Sequence, residues 1–257
     1  MAKLTIGILT MNEERRIGAC IDSAGFADQI IVVDSGSSDD TVAIAQSKGA
    51  EVFVYADWQG FAVQRNRILQ HVSGDWVFFL DADELVTPAL AQEIRSIVDA
   101  NIEAVWEVAW EQIAYGQSLG RMRSSGGIPR LFPRHQIIQF EGVVHEGAKL
   151  KNETLPVRLL KNRLPHYSRE TIYGSLQKLA QYVQLGAYKR MKAGKRGGVV
   201  RGMGSGIANF VRLYFFHRGF LCGRAGFLHS FFVALECFFR YVALEIDQEY
   251  LEQTKKR

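Results

Sequence analysis

Short apolar runs and helix-like stretches alternate over the first hundred residues of this 257-residue chain. The runs rich in β-branched and aromatic residues, typical of strands, are LTIGILT (4–10), QIIVVDS (29–35), EVFVYA (51–56) and WVFFLDAD (76–83). Apolar positions recur at helical spacing in EERRIGACIDSAG (13–25), DDTVAIAQSKG (39–49), FAVQRNRILQHVSG (61–74) and PALAQEIRSIVDA (88–100). This order predicts an α/β fold in which a mostly parallel sheet is sandwiched by helices.

Polar clusters follow three of the predicted strands. They are TMNEE (10–14), DSGSSDDT (34–41) and DADE (81–84). Because ligands of parallel sheets bind beyond the carboxyl ends of the strands, we expect these clusters to converge on one binding edge. In the alternative interpretation, Asn12, Ser38 and Thr87 only cap helices.

The run WVFFLDADELV (76–86) delivers Asp81, Asp83 and Glu84 directly from a strand apolar enough to be buried. Carboxylates near a core cost several kcal/mol unless a partner compensates them. Two carboxylates at i and i+2 of an extended segment point the same way, and such oxygens suit Mg²⁺ or Mn²⁺. The pattern therefore predicts a divalent cation at this edge.

The second half of the chain changes character. Strand-like pieces between residues 105 and 160 predict a mixed-sheet extension, and the chain turns helical after His166. We expect KAGKRGGVVRGMGSG (192–206) to be a flexible basic linker. The apolar stretch AGFLHSFFVALECFFRYVALE (225–245) is interrupted by Glu236 and Arg240, so no transmembrane helix is predicted.

Charge is unevenly distributed along the chain. The net charge is +4, yet residues 171–235 contain ten Lys or Arg and no Asp or Glu, which favours an anionic partner for this region. Nucleic acid is not expected, because no recognised reading module accompanies the charge. Three scattered cysteines (Cys20, Cys222 and Cys237) and an N-terminus without a signal peptide predict a cytoplasmic protein.

Four motifs in order resemble the nucleotide-sugar-binding half of inverting family 2 glycosyltransferases: TMNEE, VVDSGSSDDT (32–41), GFAVQRN (60–66) and FFLDADE (78–84). The later RLFPR (130–134), EGVVHEG (141–147), PHYS (165–168) and RGFLCGRAGF (218–227) are similar to lipopolysaccharide core β1,4-glucosyltransferases that act on heptose. The resemblance covers nearly the whole chain and implies a GT-A type (Rossmann-like) fold. Two positions depart from the pattern: Cys222 stands where an Asp is usual, and Ser35 follows Asp34 where a second Asp is common.

The resemblance also implies roles for individual residues. The expected nucleotide-binding residues are Thr10, Asn12, Glu13, Asp34, Asp39, Arg65 and Asp81. Asp83 is expected to ligate Mg²⁺ or Mn²⁺, with Asp81 and His166 as further ligands, although His166 is equally readable as an ordinary loop histidine. Arg121, Arg123 and Arg130 surround a Gly-rich loop that is expected to close over the diphosphate or, alternatively, is merely solvated.

An inverting transfer needs a base that takes the acceptor proton. Glu146, which follows the apolar pair in VVHEG, is the predicted base, and His145 is the alternative. The attacking hydroxyl displaces a nucleoside diphosphate, whose developing charge is stabilised by a cation and basic side chains.

The C-terminal region has the aromatic and basic mixture of an interfacial membrane anchor. The residues expected at an anionic membrane are Arg212, Phe215, Phe216, Arg218, Phe231 and Arg240. Alternatively, the aromatic stripe packs against the catalytic domain or a second subunit in a homo-oligomer. The expected domains are residues 1–170, catalytic (1–104 nucleotide-sugar half, 105–170 acceptor half), and residues 171–257, a helical membrane-associating region.

Together these expectations define a metal-dependent inverting hexosyltransferase. It would use a UDP-hexose, with UDP-glucose as the donor that the resemblance implies, and a lipid-linked core sugar at the cytoplasmic face of the inner membrane. A polyprenyl-phosphate glycosyltransferase of the same family is the near alternative. A nucleotidyltransferase or a non-catalytic membrane-bound nucleotide sensor is the alternative from another class.

Overall fold

The computed structural model describes residues 1–123, 126–142 and 147–253. The chain forms two compact units. Unit 1 comprises residues 1–111 and 125–166, and unit 2 comprises residues 112–124 and 167–257.

Twelve strands occur in the described part of the chain. In chain order they are β1 (Leu4–Thr10), β2 (Gln29–Asp34), β3 (Glu51–Val54), β4 (Trp76–Asp81), β5 (Val105–Val108), β6 (Trp110–Ala114), β7 (Gln117–Ser118), β8 (Ile128–Pro133), β9 (Ile137–Glu141), β10 (Gly147–Leu150), β11 (Val157–Leu159) and β12 (Leu164–Arg169). The four strands predicted for the first hundred residues are β1 to β4. Within the strand-like residues 105–160, the sequence VWEVAWEQIAY (105–115) divides into β5 and β6, which belong to different sheets.

Unit 1 is built on a seven-stranded sheet of order β11-β5-β8-β4-β1-β2-β3. Strands β1 to β4 pair in parallel, and β11 pairs in parallel with β5. Only β8 runs the other way, between β4 and β5. The predicted mostly parallel sheet is therefore confirmed, with one antiparallel strand inserted near its middle.

Eight α-helices occur in the described residues. They are α1 (Ile17–Ser23), α2 (Thr41–Ser47), α3 (Phe61–His71), α4 (Pro88–Asp99), α5 (Ile172–Lys192), α6 (Val199–Val211), α7 (Gly223–Ile246) and α8 (Gln248–Gln253). A five-residue π-helical turn, Arg212–Phe216, continues α6, and a 3₁₀ turn, Gly219–Cys222, precedes α7.

Helices cover both faces of the large sheet. On one face, Ile8 and Phe78 pack with residues of α1 and α4, including Ile17 and Ile94. On the other face, alternate strand residues such as Phe79 pack with α3 in a second cluster of buried apolar side chains. Because side chains alternate along a strand, both faces of these strands are apolar, as expected for a parallel sheet buried between helices.

Unit 2 is mainly helical, with α6 and α5 packed on α7. The expectation that residues 192–206 form a flexible linker is wrong for its second half, which is the start of α6. Gly202 and Gly206 explain this outcome. A Cβ at these positions would lie 2.7 Å from the carbonyl oxygen of Phe238 and 3.0 Å from that of Ala234, respectively, so the glycines allow α6 to approach α7 closely.

A buried ion pair lies in unit 2 between Arg169 and Glu236, and Arg240 also contacts Glu236 at 3.3 Å. The two charged residues that interrupt the apolar run, Glu236 and Arg240, thus contact each other within unit 2. Residues 219–246 are nevertheless long and apolar enough, by length and composition alone, to cross a membrane. Glu236 is buried and paired within the unit. The length and apolar composition of residues 219–246 therefore also fit a helix in the core of a protein.

Candidate active site

The carboxyl ends of three neighbouring parallel strands bring the predicted polar clusters together. Thr10, at the end of β1, lies in register with Asp34 of β2, while Leu9 lies in register with Asp81 of β4. Thr10 is buried, and among the described residues its hydroxyl has no hydrogen-bond partner. A buried hydroxyl without a partner is costly, so this position suits a group supplied by a ligand.

Asp34 shapes the turn that follows β2. Its carboxylate accepts hydrogen bonds from the backbone N–H of Gly36 (2.9 Å) and of Ser37 (2.8 Å), and from the Ser37 hydroxyl. The side chain is fully buried in this arrangement. Direct contact between Asp34 and a nucleotide remains a prediction.

The loops after β1 and β2 are fastened to each other. Asn12 has a positive φ of 55° and accepts a hydrogen bond from Ser38 N–H at 2.8 Å, while its own N–H donates to Ser37 Oγ. Glu13 N–H donates to Thr41 Oγ1, and Asp39 accepts from the backbone N–H of Glu14 at 3.2 Å. In the structure, Asn12, Glu13 and Asp39 therefore hold this rim of the site, whether or not they also touch a nucleotide.

A buried arginine compensates the carboxylates of the DADE segment. Arg130 Nη2 donates to Asp81 Oδ2 and to Glu84 Oε1, each at 2.6 Å. Glu84 also accepts from Trp110 Nε1 at 2.6 Å and from Asp81 N–H at 2.9 Å. The expected placement of Arg130 in a loop over the diphosphate is wrong, because Arg130 lies in β8 with a side chain that is 2% exposed.

The pKa values of Asp81 and Glu84 are shifted in opposite directions. Burial tends to raise the pKa of Asp81, but the charges of Arg130 and Arg65 outweigh it and lower this pKa to about 2. Burial raises the pKa of Glu84 to about 7, opposed by Arg130 and reinforced by the negative charge of Asp81. Arg130 and Asp81 are thus a charged pair, whereas burial makes the ionised form of Glu84 unfavourable.

Arg65 projects from α3 toward the same edge. Its guanidinium lies 3.8 Å from Asp81 Oδ1 and over the rings of Phe79 and Phe140, at 5.3 and 5.8 Å from their centroids. Cation–π contacts of this kind hold an arginine in place while its charge remains available. Its predicted role in nucleotide binding is compatible with this position.

Asp83 and His166 form a second polar pair. Asp83 Oδ2 lies 3.3 Å from His166 Nε2, and both side chains are partly exposed. The His166 ring stacks at a tilt against Trp110, with 4.7 Å between the ring centroids, and the backbones of His166 and Glu84 form an isolated bridge.

This pair fits a Mg²⁺ or Mn²⁺ site with few protein ligands. Such ions usually retain waters and bind substrate phosphates, and an imidazole can join a carboxylate around Mn²⁺. Over residues 1–123, 126–142 and 147–253, no group of three His, Cys, Asp or Glu side chains is arranged to hold a metal. Asp81 faces Arg130, so its assignment as an additional metal ligand stays a prediction.

The remaining predicted residues lie elsewhere. Arg121 and Arg123 belong to unit 2, where the backbone N–H of Arg123 donates to the His217 carbonyl. Glu146 and His145 fall outside the described residues, so the predicted base is untested.

Five of the six expected membrane residues are exposed on unit 2, namely Arg212, Phe215, Phe216, Arg218 and Phe231. The sixth differs. Arg240 packs against Gly186 of α5 and contacts Glu236, because the buried carboxylate attracts it inward. Its side chain is 24% exposed, and its contact with a membrane stays a prediction.

Sequence reasoning left Glu84 and Trp110 without a role, although they complete the DADE network. The signal was present in the chain. Three carboxylates leaving a buried strand require a cation, and RLFPR places an arginine inside an apolar strand-like segment. Without the pairing of β8 with β4, nothing connected the two segments.

A nucleotide-sugar transferase is the class that this edge and fold define. The model of the glycosyl transferase family 2 matches residues 5–135, about half of the chain. The chain belongs to this family, which confirms the resemblance noted in its motifs, and unit 1 has the corresponding GT-A type architecture.

Similar proteins span almost the whole chain. The lipopolysaccharide core biosynthesis glycosyltransferase LpsC of Rhizobium meliloti is 31% identical over 247 residues, covering 91% of this chain and 89% of LpsC. An uncharacterized glycosyltransferase of Rickettsia felis is 30% identical, covering 95% of this chain and 90% of that protein.

Among solved structures, glucosyl-3-phosphoglycerate synthase from Mycobacterium tuberculosis, in complex with Mn²⁺, UDP and its product, is similar with 20% identity and a TM-score of 0.47. The match covers 77% of this chain and 82% of that one.

Proposed function

We propose that this glycosyltransferase is a metal-dependent inverting enzyme that transfers a hexose, glucose from UDP-glucose in the simplest case, to a lipopolysaccharide core sugar. The observation that carries the proposal is the single edge at which Thr10 lies in register with Asp34 and the neighbouring Leu9 lies in register with Asp81. It combines an unpartnered buried hydroxyl, anionic groups and the basic side chains that hold them, at the position where parallel sheets bind ligands.

The donor half of the site divides into two parts. The rim formed by the loops after β1 and β2 would hold the uracil and ribose, with Arg65 and Asp81 at its floor. Arg130, in β8, fixes the position of Asp81 through its hydrogen bond. The loop after β4 is therefore held in one geometry before the donor binds.

Asp83 and His166 would hold the divalent cation beside the donor diphosphate. When bound, the cation supplies charge neutralisation to the departing UDP. Arg121 and Arg123 stay predicted diphosphate contacts.

The chemical step is a displacement with inversion. The acceptor oxygen forms a bond to the anomeric carbon as the bond from that carbon to the UDP oxygen breaks, and the acceptor proton passes to the base. Glu146 is the proposed base. Its carboxylate has to come within hydrogen-bond distance of the acceptor hydroxyl.

The acceptor is proposed from two facts. LpsC, a lipopolysaccharide core biosynthesis enzyme, is 31% identical over most of both chains. Residues 171–235 are basic and free of acidic residues, which suits the anionic surface on which a lipid-linked acceptor lies. We therefore place the reaction at the cytoplasmic face of the inner membrane, with a heptose or other inner-core sugar as acceptor.

The transfer reaction is tested with UDP-hexoses and heptose-containing core lipid, with UDP release and labelled product as readouts. Glu146→Gln should retain donor binding and lose transfer by about 10²- to 10⁴-fold, the usual contribution of a general base. Glu141→Gln is the matched control, since Glu141 is an exposed glutamate five residues away on β9. Equal turnover in both variants would place the base at another residue.

A further inference from the structure

Helix α6 has one face that packs against its own unit. Gly202 and Gly206 are buried against the backbone of α7, and Gly198 N–H donates to the Tyr241 carbonyl at 2.9 Å. These residues recur every four positions, so they form a single stripe along the helix. The contact between α6 and α7 is therefore made mainly through glycines, together with Phe210, whose ring lies 5.7 Å from that of Phe227. The apolar side chains of Val200, Met203 and Ile207 are not needed for it.

Those apolar side chains lie on a different face and are exposed. Val200 is 83% exposed and Ile207 is 62% exposed, and Met203 and Val211 belong to the same stripe at helical spacing. The stripe leads into Phe215 and Phe216 of the π-helical turn, which are also exposed. We call these six residues the α6 apolar stripe. A contiguous patch of this kind on a protein surface marks an interaction site.

Exposed basic residues accompany the α6 apolar stripe. They are Arg201, Arg212, Arg218 and Arg224. With no acidic residue between positions 171 and 235, the segment that carries the stripe has a strongly positive charge. An apolar stripe with a basic border is complementary to a surface that is apolar inside and anionic outside.

We propose that α6 and the turn after it lie in the plane of an anionic bilayer, with the α6 apolar stripe inserted among the lipids. The 13-residue helix is about 20 Å long, too short to cross a hydrocarbon core of about 30 Å, so it lies along the interface. This proposal rests on the proposed function, because a lipid-linked acceptor requires the enzyme to work at such a surface.

A second copy of the chain is a poorer occupant of this face. Pairing two copies through the α6 apolar stripe would bring two segments rich in arginine and devoid of carboxylates against each other. Like charges brought together across an interface are unfavourable, whereas anionic lipid neutralises both.

The test measures partition onto vesicles of neutral phosphatidylcholine and of phosphatidylcholine with about a third phosphatidylglycerol. The full chain is used without donor or acceptor. Ile207→Glu removes the centre of the stripe, and Val157→Glu is the matched control because Val157, on β11 of unit 1, is 61% exposed. Arg212→Gln tests the basic border, and thermal unfolding verifies that the variants fold.

The wild type should bind anionic vesicles and bind neutral ones far less. Ile207→Glu should weaken this binding at least tenfold, since an isoleucine that inserts among the lipids is replaced by a charge, and Val157→Glu should not change it. Arg212→Gln should weaken it about fivefold, and high salt should remove that difference.

Equal binding by Ile207→Glu and Val157→Glu, or no binding by the wild type, would overturn the proposal. A wild-type dimer in light scattering that dissociates in Ile207→Glu, without vesicle binding, would overturn it in favour of a second copy. Vesicle binding is measured without nucleotide, so a failure to bind UDP would count against the proposed function and leave this result standing.

Discussion

Arg130→Met tests whether the buried arginine holds the DADE segment in place. The substitution keeps an unbranched side chain of similar length and removes both 2.6 Å contacts, to Asp81 and to Glu84. The Arg130 side chain is 2% exposed and that of Glu84 is fully buried. Removing one partner of such a network leaves uncompensated buried charge, which costs about 3–5 kcal/mol. We expect the free energy of unfolding of unit 1 to fall by that amount at pH 7.5.

The pH dependence makes this prediction more specific. Without Arg130, the pKa of Glu84 should rise above its present value of about 7, because Arg130 is the neighbour that lowers it most. At pH 5 Glu84 is then protonated and neutral, so the loss caused by Arg130→Met should be smaller than at pH 7.5. The double variant Arg130→Met, Glu84→Gln should recover a large part of the loss at pH 7.5 for the same reason.

Urea unfolding followed by tryptophan fluorescence provides the assay, since all four tryptophans lie in unit 1. Arg95→Met is the matched control. Arg95 also contacts two carboxylates, Asp28 at 2.8 Å and Asp99 at 2.9 Å, but at a partly exposed site where such pairs contribute at most about 1 kcal/mol. If Arg130→Met lost no more stability than Arg95→Met, or if its loss did not depend on pH, the assigned role of Arg130 would be refuted.

Three further predictions concern other parts of the chain. Because burial raises the pKa of Glu84 from an ordinary value near 4.5 to about 7, the folded state binds this proton more tightly, and stability should fall by about 3 kcal/mol as the pH rises between those values. Glu84→Gln should remove that slope in urea titrations, and an unchanged slope would contradict it. Gly206→Leu should destabilise unit 2 by more than about 2 kcal/mol, because an added Cβ would lie 3.0 Å from the Ala234 carbonyl oxygen. Gly204→Leu is the control, since an added Cβ there meets no atom within 4 Å. Equal melting temperatures of the two variants would contradict this prediction. Ser37→Ala should weaken UDP binding severalfold in calorimetry by loosening the turn at Asp34, and unaltered affinity would show that the turn does not need this hydroxyl.

Local periodicity was sufficient to predict the elements that position the donor edge. Three of the first four strands carry an apolar run followed by a polar cluster, and parallel strands bring their ends to one edge without any knowledge of distant pairings. This is why the proximity of Thr10, Asp34 and Asp81 was predictable from the sequence.

Arg130 was not predictable in the same way. The residues that precede it include glycines, a proline and basic residues, which indicated a loop, although RLFPR itself is strand-like. Its actual position depends on β8 entering the sheet antiparallel between β4 and β5, a pairing between residues about fifty positions apart. The balance of two buried carboxylates against one arginine is therefore a property of the tertiary fold.

The helical region shows the same limit. Glycines in residues 192–206 indicated a linker because they disfavour an isolated helix. In the folded unit, Gly202 and Gly206 allow contact with α7, and that packing outweighs their low helix propensity. The buried pair of Arg169 and Glu236 joins residues 67 positions apart, which explains why Glu236 looked only like an interruption of an apolar run.

Calorimetric titration of UDP with Mn²⁺, and again with chelator, tests whether this edge of the sheet is a metal-dependent donor site. We expect binding that requires the metal. It should fall at least tenfold in Asp83→Asn, because this substitution removes the carboxylate that faces His166. Asp99→Asn, on the outer side of α4, should bind as the wild type does. The absence of UDP binding with or without metal, or equal binding by Asp83→Asn and Asp99→Asn, would contradict the assignment of this edge as a metal-dependent donor site.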